Sequence, residues 1–180
     1  MKKGYLFTSA RLGFRNWSSE DLASLLAINQ DPEVMAFFPD LISREETQSF
    51  INKMQAKCEE KEYCYFAVDE LQGGSFIGFI GLSDQDFKAS FTPCIDIGWR
   101  LARSAWGKGF ATEGARRCLL YAFEELGMET VLSLCPTVNT RSWRVMENIG
   151  MQRLGTFKHP GLKEYSKLET CYLYEIRHDS

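Results

Sequence analysis

"SAWGKGFATEG", residues 104–114, sets Gly107 and Gly109 one residue apart immediately ahead of a stretch with helical periodicity. Neither glycine favours helix, so the pair serves the boundary and not the interior. From about 110 to 126, Ala111, Ala115, Cys118, Leu119, Ala122 and Leu126 fall on one face, while Glu113, Arg116, Arg117 and Glu124 lie elsewhere. This is an ordinary amphipathic helix in which Glu113 and Arg117 have the spacing to pair. At its N-terminus the first backbone N–H groups have no intrahelical acceptor, and the dipole contributes roughly half a positive charge. Glycines there remove the Cβ atoms that would keep a phosphate away. "WGKGFAT" therefore reads either as an anion cradle, with Lys108 adding charge and the Thr112 hydroxyl a further donor, or as a tight turn that needs positive φ at one glycine.

Two common phosphate-binding loops do not fit. A P-loop requires Gly-x-x-x-x-Gly-Lys-Ser/Thr, which the chain lacks. A Rossmann fingerprint requires a third glycine where Thr112 stands and an early position in an alternating parallel unit.

The flanking chain predicts a mixed α/β fold of the α+β type, in one domain spanning 1–180. Upstream, "ARLGFRNW" reads as a first strand and "SSED" starts a helix through about Ile28. In "DPEVMAFF", Asp31 has the character of an N-cap and Pro32 that of a first helical residue. "SREE" at 43–46 has capping-box spacing and opens a helix to about Lys61. "YCYFAVDE" and "SFIGFIGLSD", joined through Gly73 and Gly74, predict a hairpin, to which "CIDIGWRL" adds a third antiparallel strand. Beyond the 110–126 helix come a strand at "TVLSL", a helix from about 140 to 149 stopped by Gly150, and strands near "MQRLGTF" and "TCYLYEI".

Composition narrows the function. With 180 residues and 44% hydrophobic content, the chain can bury one substantial core. The net charge of -3 arises from interspersed acids and bases, so no basic stripe is available for nucleic acid. There is no apolar run long enough to cross a membrane, and the stretch beginning "MKKGYLFTSARLGF" is interrupted too early for a secretory leader, so a cytoplasmic protein is expected. The six cysteines and two histidines show neither metal-site nor disulfide spacing; reduced, mostly packed cysteines and no metal site are expected.

"WGKGFA" at 106–111 resembles the pyrophosphate loop of the GCN5-related N-acetyltransferases (GNAT), Gln/Arg-x-x-Gly-x-Gly/Ala. The resemblance is strongest to the branch of RimJ/RimL-like ribosomal-protein alanine N-acetyltransferases. It runs through "ARLGFRNW", "DPEVMAFF", "FIGFIGL", "IDIGWRL", "WGKGFATEG", "NTRSWRVMENIGM" and "FKHPGL", in order and over nearly the whole chain. It implies a largely antiparallel central sheet flanked by helices, with a splay between two central strands, here "CIDIGWRL" and "TVLSL". It also implies acetyl-CoA as cofactor and an amine as acceptor, a protein N-terminus or a small molecule, in a monomer or homodimer.

The same resemblance assigns expected roles. Main-chain groups of Ile97, Trp99 and Leu101 would hold the pantetheine arm in the manner of an added strand. The N–H groups of Gly107, Lys108, Gly109, Phe110, Ala111 and Thr112 would hold the pyrophosphate, with Asn139 and Ser142 beside the cofactor. Trp106 stands where the wider superfamily carries Gln or Arg and is expected to pack beside the loop. Met146 occupies the place of the superfamily's tyrosine acid, a role a thioether cannot fill. Ser142 is then the candidate proton donor, against an ordinary first-turn residue after the good N-cap Asn139. Trp99 N–H is the candidate oxyanion donor. Asp96 is the candidate base, acting directly or through water, against a plain salt-bridged carboxylate. His159 has a suitable intrinsic pKa for base or substrate contact, and Glu113 reads as a paired or solvated helix-face acid. Aromatics of "MAFFPD" and "DQDFKASF" are candidates for walling the acceptor channel. The alternatives are a module that binds acyl-CoA without transfer and an acetyltransferase of a polyamine or antibiotic amine.

Overall fold

The computed structural model describes residues 4–178; Met1 to Lys3, part of the stretch read above for a leader, lie outside the described residues. Among the described residues, eight strands form one sheet: β1 (Phe7–Thr8), β2 (Leu12–Arg15), β3 (Tyr65–Glu70), β4 (Ser75–Gln85), β5 (Cys94–Leu101), β6 (Thr130–Pro136), β7 (Gln152–Lys158) and β8 (Thr170–Arg177). Their order is β1-β2-β3-β4-β5-β6-β8-β7. Every neighbouring pair is antiparallel except β5 and β6, which run parallel. Helices α1 (Leu22–Asn29), α2 (Arg44–Lys61), α3 (Phe110–Leu120) and α4 (Thr140–Asn148) flank the sheet. This is the mixed, largely antiparallel fold expected from the sequence.

The local signals are met by local chemistry. Ser43 and Glu46 close a reciprocal capping box at the start of α2, and Glu62 ends the helix at φ 63°. Thr47, Ile51, Met54 and Cys58 recur at helical spacing on its buried face. Each fully buried aliphatic there contributes about 1.5–3 kcal/mol of transfer free energy. The β3–β4 turn uses Gly73 and Gly74 at φ 104° and 67°, the hairpin predicted from the sequence. α3 lies close on β4 because Gly114 has no side chain: a Cβ there would collide with Ile80 Cδ1. Beyond Leu120 the helix widens into one π turn, Tyr121–Glu125, with Leu126 N–H bonded to Tyr121 O at 3.1 Å.

Two expectations are corrected. "DPEVMAFF" is not a helix. Asp31 forms a single turn, accepting from Met35 N–H at 3.0 Å through its carbonyl and from Glu33 N–H at 2.9 Å through its carboxylate. Val34 and Met35 then drop into the core, and Pro39 disfavours helical geometry at Phe38. Glu113 does not pair with Arg117. It accepts from Ser9 Oγ and Arg11 Nε, each at 2.7 Å, while Arg117 bonds Thr8 O and Glu125. The turn between β1 and β2 supplies nearer partners than the helix's own next turn.

Arg15 lies buried between Asp21, at 2.7 Å, and Asp69, at 2.8 Å, tying β2, β3 and the turn ahead of α1 into one ionic cluster. The six cysteines are unpaired, and all but Cys94 are buried.

Candidate active site

The site forms where two strands part. β5 and β6 share a single register pair, Asp96 with Leu132. Ala102 N–H bonds Ile77 O across the β4 edge, so alternation turns the main-chain groups of Ile97, Trp99 and Leu101 toward β6. Ile97 O accepts from Ser133 Oγ at 2.8 Å, and Leu101 O accepts from Trp106 Nε1 at 3.0 Å. Past the single bridge, the Trp99 main chain faces the opening with no ladder partner on β6. The Trp99 side chain shares a sheet face with Ile80 and α3; those of Asp96 and Arg100 lie on the opposite face with Tyr65 and Phe79.

A cradle sits at the head of α3. Gly107 and Gly109 adopt φ 72° and 78°, so the turn that needs positive φ and the bare main chain are one feature. A Cβ at Gly107 would meet nothing within 4 Å, and one at Gly109 only Arg11 Nη2 at 3.6 Å. The first bond of the helix runs from Glu113 N–H to Gly109 O at 3.0 Å, leaving the N–H groups of Phe110, Ala111 and Thr112 ahead of the ladder. Positive charge surrounds them. Arg11 donates to Lys108 O at 3.0 Å and stacks on Phe110 at 4.6 Å, Lys108 Nζ lies 5.7 Å from the same ring, and Arg141 stacks on Trp106 at 4.3 Å. Open space, unpaired donors and cations together suit a diphosphate.

A cavity of about 640 Å³ joins this cradle to the other face of the sheet. Gly107, Gly109, Asn139 and Ser142 line one end, Phe37, Phe38 and Tyr65 the other, and Ile97, Gly98 and Trp99 the passage between. Asp96 borders the far side, buried, with Oδ1 accepting from Tyr65 Oη at 2.7 Å and Gln85 Nε2 at 3.0 Å. Burial pushes its carboxyl up to about 6 against the downward pull of those hydrogen bonds. A carboxylate poised near neutrality beside an opening is equipped to take a proton.

Comparison with known proteins agrees with this geometry. Residues 11–152 match the family described as acetyltransferase (GNAT) domain. The chain belongs to the GNAT acetyltransferase family. The uncharacterized N-acetyltransferase YnaD of Bacillus subtilis is 30% identical over 152 residues, 84% of this chain and 85% of YnaD. A GNAT-family acetyltransferase from Bacillus anthracis superposes with TM-score 0.79 at 28% identity, covering 94% of this chain and 96% of that one. RimL, a ribosomal L7/L12 α-N-protein acetyltransferase solved in complex with coenzyme A, shares the fold with TM-score 0.77 at 15% identity, covering 98% and 99%. Acetyl-CoA is the cofactor of this GNAT acetyltransferase; when bound it supplies the activated acetyl group.

The residues expected to serve the acetyltransferase site are brought to one cavity. Ile97, Trp99, Leu101, Gly107, Gly109, Phe110, Ala111, Thr112, Asn139 and Ser142 all border it, as does Asp96; Lys108 stands just outside with its side chain over Phe110. The Phe110 ring is buried, leaving its N–H to the cradle. Asn139 Oδ1 accepts from Ser142 N–H at 3.2 Å, capping α4 and holding both residues at the cavity wall. Met146 is buried, and Trp106 packs beside the loop as its chemistry suggested. His159 borders the cavity, but its Nδ1 accepts from Gly161 N–H at 3.1 Å and burial lowers its pKa. Its neutral ring therefore presents Nε2 as a donor, a poor arrangement for a base. Phe37 and Phe38 border the cavity. Phe87 and Phe91 do not border the cavity; they pack on Phe157, with centroids 6.3 and 4.9 Å away, and Phe87 also lies 4.5 Å from the His159 ring at its rim.

Four residues were not legible as site groups. Tyr65 and Gln85 reach Asp96 only through the β3–β4–β5 register. Arg11 clamps the loop from 97 residues away. Arg100 borders the cavity beside Phe38 and donates to Asn29 from 71 residues away. Only Arg141 had a usable signal, lying inside "NTRSW" beside two predicted groups.

Proposed function

We propose that this protein transfers the acetyl group of acetyl-CoA to a primary amine, a peptide or protein N-terminal α-amine, by direct attack in a ternary complex. The observation that carries this reading is the continuous cavity through the β5–β6 opening, with the anion cradle at one end and Asp96 bordering the other. Asp96 receives the proton released as the amine attacks, directly or through one water. The Trp99 N–H donates to the oxygen on which negative charge develops. Ser142 returns a proton to the departing sulfur. The N–H groups from Gly107 to Thr112 hold the pyrophosphate, and Ile97, Leu101 and Asn139 the pantetheine arm. An α-amine suits a single weak base, since with a pKa near 8 roughly a tenth of it is already neutral at pH 7, against below about one part in a thousand for lysine.

The full chain, 1–180, acts in this reading as one cytoplasmic catalytic domain, monomeric or homodimeric. No helix among the described residues is long and apolar enough to cross a membrane. A second reading, a module that binds acyl-CoA without transfer, is favoured by Met146 alone, which fills the position of the superfamily's acid. Release of coenzyme A thiol against a panel of amines tests both. The panel includes peptides with varied first residues, a polyamine and an aminoglycoside. Acceptor-dependent release highest with peptides supports the proposal; tight coenzyme A binding with no release above the no-amine control overturns it for the second reading.

A further inference from the structure

On the acceptor side of the sheet, Arg100 has no carboxylate partner among the described residues. Arg100 lies on the same face of β5 as Asp96, four residues on, with only Gly98 between them on that face. Its guanidinium is stacked between Phe38, at 4.1 Å, and Phe79, at 5.4 Å, and it borders the cavity. Nη1 donates to Asn29 Oδ1 at 2.7 Å, while the buried Nε has no hydrogen-bond partner. Burial lowers its pKa to about 10, so it remains a cation at neutral pH.

The anchor behind it is preorganised. Asn29 is 1% exposed and donates to Thr47 Oγ1 at 3.0 Å; Thr47, fully buried, donates to Ser43 O at 2.7 Å. This relay fixes the amide so that its oxygen, and not its nitrogen, meets the guanidinium. Glu33, which borders the same cavity, is engaged by Arg103. A desolvated guanidinium with an unused donor is costly unless something completes it, and its planar fork matches a carboxylate.

Building on the transferase reading, we infer that the acceptor carries a carboxylate several atoms from its reactive amine, and that Arg100 binds that carboxylate. At about 3.3 Å per strand residue, the Cα atoms of Asp96 and Arg100 stand roughly 13 Å apart, and both side chains reach inward. The span between amine and carboxylate is then that of a short peptide. A polycationic amine would meet Arg100 as a like charge.

The test uses coenzyme A-loaded protein and matched acceptors: diglycine and triglycine with free or amidated C-termini, and spermidine. Dissociation constants by calorimetry and acetyl-CoA turnover are measured in parallel. The free acids are expected to bind at least tenfold more tightly than their amides, with the difference appearing in KM and not kcat, and spermidine is expected to bind weakest. Arg100→Gln should erase the acid-over-amide ratio, the loss falling on the free acids, and Arg100→Lys, which keeps the stem between the rings, should restore part of it. Equal binding of acid and amide by the wild-type protein overturns the inference without any variant, as does a uniform loss in Arg100→Gln across all acceptors. Acid-selective binding without turnover would keep the carboxylate site and overturn the transferase reading instead.

Discussion

The Tyr65 hydroxyl donates to Asp96 Oδ1 at 2.7 Å, across the two strand pairings that separate β3 from β5. Gln85 Nε2 loads the same oxygen at 3.0 Å. Both donors hold the carboxyl group in place while leaving Oδ2 as the position from which a proton can be accepted, directly or through water. Burial raises the Asp96 pKa and the two donors restrain the rise, so the pair sets where the group titrates.

A base must be unprotonated, so kcat/KM should rise with pH through about 6, the pKa of Asp96, and rise again as an α-amine loses its proton near pH 8. Asp96→Asn should lower kcat/KM by about 10²–10³ and remove the lower limb. Tyr65→Phe deletes a hydrogen bond that favours the charged form, so it should move that limb to higher pH. Rate profiles from pH 5 to 9 measure all three; a lower limb that persists in Asp96→Asn would rule out the assignment.

Stability should follow the opposite sign. The folded-state pKa of Asp96, about 6, lies above its unfolded value, so the group's stabilising contribution is complete in acid and is lost as pH rises through 6. Asp96→Asn should therefore be the more stable protein at pH 8, by on the order of 1–3 kcal/mol, with the difference closing below pH 4. Urea unfolding at the two pH values reads this directly. An Asp96→Asn protein less stable than wild type at pH 8 would contradict it.

Gly109 and Gly127 have similar backbone angles, φ 78° and 65°, yet only Gly109 faces the cradle. Substitution by alanine should cost each about 1–2 kcal/mol through left-handed strain. Gly109→Ala alone should weaken coenzyme A binding, by tenfold or more, because the cradle depends on close approach of main chain. Calorimetric titration of both variants separates strain from contact, and equal affinities would refute the cradle.

The Ser142 N–H is shared between the carbonyl and side-chain oxygens of Asn139, yet the two residues carry different expected roles. Asn139→Ala should destabilise the protein by about 1 kcal/mol through loss of the α4 cap. Ser142→Ala should leave stability nearly unchanged and lower kcat by roughly tenfold, with the KM for acetyl-CoA little altered, as expected for a proton donor. A Ser142→Ala enzyme with wild-type kcat would exclude that role.

Much of the fold was legible because its signals are local. Ser43 and Glu46 cap α2 with their own side chains, Gly73 and Gly74 turn the hairpin by their own φ angles, and Gly109 opens α3 as its position in "WGKGFA" implies. The misreadings arose where a distant group outbid a neighbour. Glu113 is taken by Ser9 and Arg11 instead of Arg117, and the 31–38 stretch forgoes helix to place Val34 and Met35 in the core and two phenylalanines at the cavity.

By itself, the order of residues determined most of the elements, the bare turn at Gly107 and Gly109 and the candidate groups on β5, since periodicity, caps and φ preferences act within a few residues. Tertiary structure alone decided that β5 and β6 part after one bridge, that Tyr65 and Gln85 converge on Asp96, and that Arg100 stands between two rings beside Asn29. Those are consequences of strand register and burial, which sum contacts from segments far apart in the chain, and they raise the Asp96 carboxyl to about 6.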